Sequence, residues 1–190
     1  MKELLEKLKS LFKVKLTVKT MAYMAMFVAL QIVLQYAFSM IPNQPQGGSI
    51  TLDLLPIILV SYLMGSGYGL LVGIMCTMIQ FALGMASYWG PWSVVLDYLV
   101  PISIVGASSV FKNVEFKNTK IYTGIIITMI LKFISHFLSG AWLFAEYAPE
   151  GMNVFVYSFG YNIIYCLPTL IICYIGFAYV YPRLKKAIRL

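Results

Sequence analysis

The stretch that decides the fold is Ile121–Phe144, which reads IYTGIIITMILKFISHFLSGAWLF and contains Lys132 as its only charged residue. A helix needs about 20 mostly apolar residues to cross the hydrocarbon core of a bilayer. This stretch therefore predicts a membrane-spanning helix. Its apolar residues are continuous and do not alternate with polar ones, which argues against a strand of a membrane β-barrel.

Five further apolar stretches of this kind lie at about residues 20–41, 51–64, 68–85, 92–110 and 154–180. The chain is 61% hydrophobic and 11% charged, with a mean hydropathy of +0.83, whereas about a quarter of a soluble domain is charged. We therefore predict an all-α integral membrane protein, a six-transmembrane-helix bundle that occupies residues 20–181 as one domain. Residues 1–19 are expected to form a basic amphipathic segment on the membrane surface, and residues 182–190 a basic tail.

The basic residues lie on one side of this predicted bundle. Of the 14 lysines and arginines, six precede the first span, three lie between the fourth and fifth spans, and four follow the sixth. With six spans these residues share one side, and the positive-inside rule places that side, with both termini, in the cytoplasm of a multi-pass cell-membrane protein. Topology thus explains the net charge of +7, and no nucleic-acid partner is predicted.

The three cysteines, Cys76, Cys166 and Cys173, all lie within apolar stretches. Cysteines in such surroundings behave as small buried hydrophobic residues. We therefore predict neither a disulfide framework nor a metal site, and no cofactor.

Two acidic residues lie toward the opposite, outer side of the predicted bundle. Asp97 lies roughly 7 Å inside the fourth span, at ~1.5 Å per residue. An ionisable group in a span costs about 3 kcal/mol unless it faces a cavity or a partner. We expect Asp97 to be functional, the alternative being a structural pair with Lys132, which should itself find a partner inside the bundle. Asp53, at the start of the second span, is predicted to cap that helix.

His136 is the only histidine, and it lies about 12 Å below the outer end of the fifth span. Gly140 and Phe144 follow at i+4 and i+8, so the three residues share one stripe of the helix. Gly140 either leaves space beside the imidazole or lets another helix pack closely.

The sixth span brings Tyr157, Tyr161 and Asn162 to a similar depth. A carboxylate, an imidazole, an amide and phenols at one level predict a polar pocket that opens to the outside. Such a pocket suits an organic cation, because a carboxylate supplies charge and ring faces supply cation–π attraction. The alternative for any single aromatic residue is the aromatic belt at the lipid interface.

On the first span, Ala25 and Ala29 are two small residues spaced one turn apart. Such a pair makes a groove in which another helix can dock. On spacing alone, chance in an apolar helix explains the pair equally well.

Several segments together carry a resemblance to a known family. They are Gly48-Ser49-Ile50-Thr51-Leu52 with Leu55-Pro56, Leu96-Asp97-Tyr98, His136-Phe137-Leu138-Ser139-Gly140, Tyr147-Ala148-Pro149, and Tyr157-Ser158 with Tyr161-Asn162. In this order, across about residues 20 to 175, the set resembles the thiamin-specific S-components of energy-coupling factor transporters.

The resemblance implies a six-helix bundle whose substrate site lies near the outer surface under the loop after the first helix. It implies high-affinity thiamin binding without hydrolysis, with an energy-coupling membrane subunit and two ATPase subunits driving import. Ala25 and Ala29 would match the small-residue motif that docks the membrane subunit.

The resemblance also implies roles for individual residues. Asp97 would hydrogen-bond the aminopyrimidine, Tyr98 would be a hydroxyl ligand or a packing ring, and His136 would line the site of the thiamin rings. The substrate-binding set is Asp97, Tyr98, His136, Gly140, Phe144, Tyr157 and Asn162. The sequence departs from the family at Phe144, where a stacking tryptophan is common; the nearby Trp142 is about 200° around the helix.

Two other interpretations stay open at this point. One is an S-component for another vitamin or for a thiamin precursor, although anionic vitamins fit poorly because the outer loops lack lysine and arginine. The other is an intramembrane enzyme that uses Ser139 and His136, for which no oxyanion hole or second base is visible.

Overall fold

A computed structural model of the protein describes residues 14–40, 44–45, 47–117 and 119–187, together with Glu6 and Lys9. From residue 14 onward the described chain is mainly helical. Its elements are α1 (Val18–Phe38), α2 (Leu55–Leu63), α3 (Ser66–Ala82), α4 (Pro91–Val105), β1 (Val114–Phe116), β2 (Thr119–Ile121), α5 (Thr123–Trp142) and α6 (Val154–Ala187). Most of the predicted amphipathic segment 1–19 and the end of the basic tail lie outside the described residues.

Three helices, α1, α5 and α6, are long and apolar enough to cross a membrane by length and composition. The helices α3 and α4 are shorter apolar segments, and α2 has nine residues. The second predicted stretch, 51–64, is therefore helical only from Leu55, and Pro56 occupies its first turn, where the missing N–H costs nothing.

The hairpin β1–β2 corrects the prediction of a purely helical chain, and it lies between the fourth and fifth predicted spans. Its strands are antiparallel, with Val114 opposite Ile121 and Glu115 opposite Lys120. The first of these pairs joins two apolar β-branched residues, and the second joins an acidic and a basic residue. Both kinds of cross-strand pair stabilise a strand pair. Three residues per strand are too few for this alternation to stand out in the sequence.

An aromatic cluster packs the end of the bundle beside this hairpin, which we call the hairpin end. The ring of Phe177 lies 4.7 Å from that of Tyr62 and 4.8 Å from those of Tyr122 and Tyr181, between ring centroids. Edge-on and stacked contacts at these distances add to the packing of each ring. The four rings thus pack against one another at the hairpin end.

The crossing of α3 and α4 depends on glycine. A Cβ atom added at Gly69 would overlap the backbone of Gly106, and one added at Gly106 would overlap the backbone of Gly69. Small residues allow this close approach of two helix backbones. The crossing fixes α3 against α4 and so positions the residues near Gln80 and Asp97 described next.

Candidate functional site

A cavity of about 430 Å³ lies at the end of the bundle opposite the hairpin, which we call the pocket end. It is bounded by the last turns of α1, α3 and α5, the first turns of α4 and α6, and parts of the segments 47–54 and 85–89. All seven substrate-binding residues predicted from the sequence line this one cavity.

Asp97 is the acidic centre of the cavity wall. Ser139 Oγ donates a hydrogen bond to Asp97 Oδ2 at 2.7 Å, and His136 Nδ1 lies 3.4 Å from Asp97 Oδ1. The aspartate belongs to a π-helical turn of α4, Val94–Leu99, whose Leu96 carbonyl accepts a bond from Ser135 Oγ at 2.6 Å. Such wide turns are frequent at functional sites.

Lys132 is buried inside the bundle, as predicted, and its contact is with His136. The Nζ atom lies 3.0 Å from His136 Nε2 and 5.5 Å from the centroid of the Tyr165 ring. A neutral imidazole protonated on Nδ1 can donate to Asp97 and accept from the ammonium group. The ammonium, the imidazole and the carboxylate thus form one polar chain along the cavity.

Asn162 and Gly140 lie where α5 and α6 touch. Asn162 Nδ2 donates to the Ser158 carbonyl oxygen at 2.8 Å, and the Tyr165 hydroxyl donates to Asn162 Oδ1. A Cβ atom at position 140 would overlap Ser158 Oγ. Of the two roles predicted for Gly140, close helix packing is therefore the one that the contacts support.

Some of the aromatic residues at the pocket end line the cavity, and others lie outside it. The Tyr98 hydroxyl accepts a bond from the Ser87 backbone N–H at 2.9 Å, so its ring lines the cavity while its oxygen anchors a loop. Phe144 lines the cavity, with its ring 5.8 Å from that of Trp89. Trp142 is 61% exposed and packs on Trp92, so Phe144 is the ring in the cavity.

The predicted helix cap at Asp53 is wrong. The residue that precedes α2 is Leu54, which makes no side-chain cap, whereas Asp53 is 6% exposed and lines the cavity. It accepts hydrogen bonds from Gln31 Nε2 at 2.9 Å and from Thr51 Oγ1 at 2.8 Å. The signal available in the sequence was Gln31, a polar residue within the first span that needed a buried partner.

The segment after α1 is fastened to α6 across the cavity. The Tyr161 hydroxyl donates to the Gly47 carbonyl at 2.7 Å, and the Thr51 N–H donates to Thr169 Oγ1 at 3.3 Å. Gly48 has φ +89°, and a side chain there would overlap the Tyr165 ring. Residues 41–43 and 46 lie outside the described part of this loop.

The two alanines predicted to dock a partner lie on one exposed face of α1. Ala25 and Ala29 are exposed, while Met24, Phe27 and Val28 of the same helix are buried in the bundle. The small-residue groove is therefore free of internal packing and available to another helix.

Comparison with solved structures gives the class of fold. ThiT from Listeria monocytogenes superposes with a TM-score of 0.72 at 17% identity, over 89% of this chain and 96% of that one. The S component of a bacterial ECF transporter superposes with a TM-score of 0.62 at 23% identity, over 90% of this chain and 98% of that one. The chain has the fold of these proteins.

Sequence comparison then gives the family. Residues 21–189 match the family described as "Thiamine transporter protein", and the chain belongs to it. The thiamine transporter ThiT of Bacillus subtilis (strain 168) is 31% identical over 176 residues, 86% of this chain and 92% of that protein. This is a family of transport proteins, so the enzyme interpretation of Ser139 and His136 is set aside.

Proposed function

We propose that this chain is the thiamin-binding membrane subunit of an energy-coupling factor uptake transporter. It captures thiamin from outside the cell, and partner subunits drive the import. Membership of the thiamine transporter family and similarity to the Bacillus subtilis protein support this function. The protein itself performs no chemical step.

The observation that carries the proposal is the chemistry of the cavity wall. Its charged side chains are two carboxyl groups, Asp53 and Asp97, and one ammonium group, Lys132. Thiamin carries a fixed positive charge on its thiazolium ring and a donor–acceptor edge on its aminopyrimidine. An acidic wall that also presents aromatic faces suits such a cation, because charge attraction and cation–π attraction act together.

Individual roles follow from position. We assign Asp97 to the aminopyrimidine, because Ser139 and His136 hold its carboxylate in place at the cavity wall. His136 lies on α5 and Phe144 lies just beyond its end at Trp142, and both line the cavity and supply walls for the rings. Tyr98 contributes a ring face, while Tyr157 and Asn162 supply polar contacts from α6. Gly140 lets α6 approach closely enough to do so.

The binding test compares Asp97→Asn and His136→Ala with the wild type by titration calorimetry in detergent. Removing one partner of a charged hydrogen bond costs ~1.5–3 kcal/mol, so each substitution should weaken thiamin binding at least about tenfold. Glu150→Gln, at an exposed loop position, is the matched control and should change affinity less than about threefold. An Asp97→Asn protein that is folded and binds thiamin like the wild type would refute the carboxylate role.

We further propose that the six helices make six membrane crossings, within one domain at residues 20–181, with both termini in the cytoplasm. Thirteen of the 14 basic residues support this orientation, because they fall on one side of such a bundle. A cysteine introduced at Lys117 in the hairpin should resist membrane-impermeant thiol reagents in intact cells. The native cysteines Cys76, Cys166 and Cys173 are buried, so labelling of the wild-type protein gives the background level. Rapid labelling at position 117 would reverse the orientation.

The partners in this proposal are an energy-coupling membrane subunit, which docks at Ala25 and Ala29, and two ATPase subunits. Ala25→Leu and Ala29→Leu should abolish thiamin uptake by cells and leave binding by the purified protein intact, because the added bulk fills the groove. Met26→Leu, at an exposed neighbour of similar volume, should keep both activities. If Ala25→Leu and Ala29→Leu abolished both binding and uptake, the two alanines would be needed for the structure of the subunit itself and not for docking.

A further inference from the structure

Two buried polar groups, each from a residue that lines the cavity, have no hydrogen-bond partner among the described residues. They are Gln80 Nε2, from the last turn of α3, and Ser93 Oγ, from the first turn of α4. Gln80 is 2% exposed and Ser93 is 1% exposed, and both line the cavity. A buried donor without a partner is costly, so groups of this kind in a native protein call for an explanation.

Their neighbours on the same wall are satisfied. Asp97 is bonded to Ser139, and the Tyr98 hydroxyl accepts from the Ser87 N–H. The hydroxyl of Ser103, further along α4, is also buried without a partner, but Ser103 does not line the cavity. Gln80 and Ser93 therefore combine two properties, an open hydrogen-bonding capacity and a place on the cavity wall.

We infer that Gln80 and Ser93 form a second polar subsite, which binds the primary alcohol at the end of the ligand's hydroxyethyl arm. The alcohol oxygen accepts a hydrogen bond from the Gln80 amide, and the alcohol O–H donates one to the Ser93 hydroxyl oxygen. The inference rests on the proposed function, in which the ligand is thiamin.

Thiamin has two groups that hydrogen-bond strongly, and the proposed function assigns the aminopyrimidine to Asp97. The thiazolium ring between them needs ring faces and negative charge but no hydrogen-bond partner. The alcohol is the hydrogen-bonding group to which the proposed function assigns no particular residue. Ser93 lies four residues before Asp97 on α4, and both residues line the cavity, so the subsite is separate from the carboxylate but within the same cavity.

The test is a thermodynamic cycle with two ligands: thiamin, and the analogue in which hydrogen replaces the side-chain hydroxyl. Gln80→Met keeps the length of the side chain and removes the amide, and Ser93→Ala removes the hydroxyl. Each substitution should weaken thiamin binding by about three- to tenfold, the usual effect of one neutral hydrogen bond, and change binding of the analogue less than about twofold. Ser103→Ala, which also removes an unpartnered buried hydroxyl but not from the cavity wall, should leave both affinities unchanged.

Each other result has a defined meaning. Equal weakening for both ligands would overturn the inference, because the two residues would then support the cavity or contact another part of thiamin. Unchanged affinity for both ligands in both variants would overturn it as well. These outcomes differ from failure of the proposed function, in which the wild-type protein would bind neither thiamin nor the analogue.

Discussion

The two ends of the bundle use aromatic residues in opposite ways. At the hairpin end, Tyr62, Tyr122, Phe177 and Tyr181 fill the space between helices ring against ring. At the pocket end the rings surround a cavity of about 430 Å³. Aromatic content therefore does not distinguish a core from a site in this chain. The difference is the charge inside the bundle. In the described chain, the buried Asp53 and Lys132 and the partly buried Asp97 all line the cavity at the pocket end.

The two ends also differ in whether their buried polar groups have hydrogen-bond partners. At the hairpin end, Ser109 Oγ lies 3.1 Å from Ser61 Oγ and 2.5 Å from Ser66 Oγ, so three hydroxyls satisfy one another. At the pocket end, Gln80 and Ser93 keep unpartnered groups at the cavity wall. Stability and ligand binding are thus assigned to different ends, and substitutions can separate them.

The largest expected effect is at the hairpin end. Phe177→Ala removes a fully buried ring that contacts three others, and it should lower the free energy of unfolding by about 3–5 kcal/mol. Thiamin affinity of the folded fraction should not change. Chemical denaturation in detergent measures the first quantity, and titration of the folded protein measures the second.

The matched substitution at the pocket end is Phe144→Ala. It should cost clearly less stability, because this ring already faces a cavity and has fewer contacts to lose. It should weaken thiamin binding about fivefold through loss of a ring face worth ~1 kcal/mol. If Phe177→Ala weakened binding as much as Phe144→Ala does, the two ends would be coupled and the comparison would not hold.

The smallest expected effect is that of Phe144→Trp. An indole ring attracts a cation more strongly than a phenyl ring, so thiamin binding should stay unchanged or strengthen by up to about threefold. Trp142→Phe, on the exposed face outside the cavity, should have no effect. Weaker binding in the Phe144→Trp protein would mean that Phe144 is not the stacking surface.

The sequence allowed much of the pocket to be predicted, because polar residues in apolar helices are rare and their spacing fixes their face. His136 and Gly140 lie one turn apart in α5, and the predicted burial of Lys132 is confirmed. The predicted stripe does not extend to Phe144, because α5 ends at Trp142, although Phe144 still lines the cavity. Asp53 was assigned incorrectly, because the start of α2 was placed too early and its partner Gln31 is 22 residues away. Tertiary partners at such separations leave no local pattern.

Other features escaped prediction for different reasons. The strands of the hairpin are only three residues long, which is too short for a periodic signal. The unpartnered state of Gln80 and Ser93 depends on what surrounds them in three dimensions. The π-helical turn of α4 leaves no mark that propensity alone would detect.

The π-helical turn changes which residues of α4 lie on the same face of the helix. Its bond from the Val100 N–H to the Val95 carbonyl spans five residues. In a regular α-helix, residues five apart point about 140° away from each other, yet Asp97 and Ile102 both line the cavity. The turn acts as a phase shift, equivalent to one inserted residue. The face on which the aspartate sits is set by the count of residues in Val94–Leu99, so the length of this short stretch, as much as its chemistry, determines whether the chain presents an acid to its ligand.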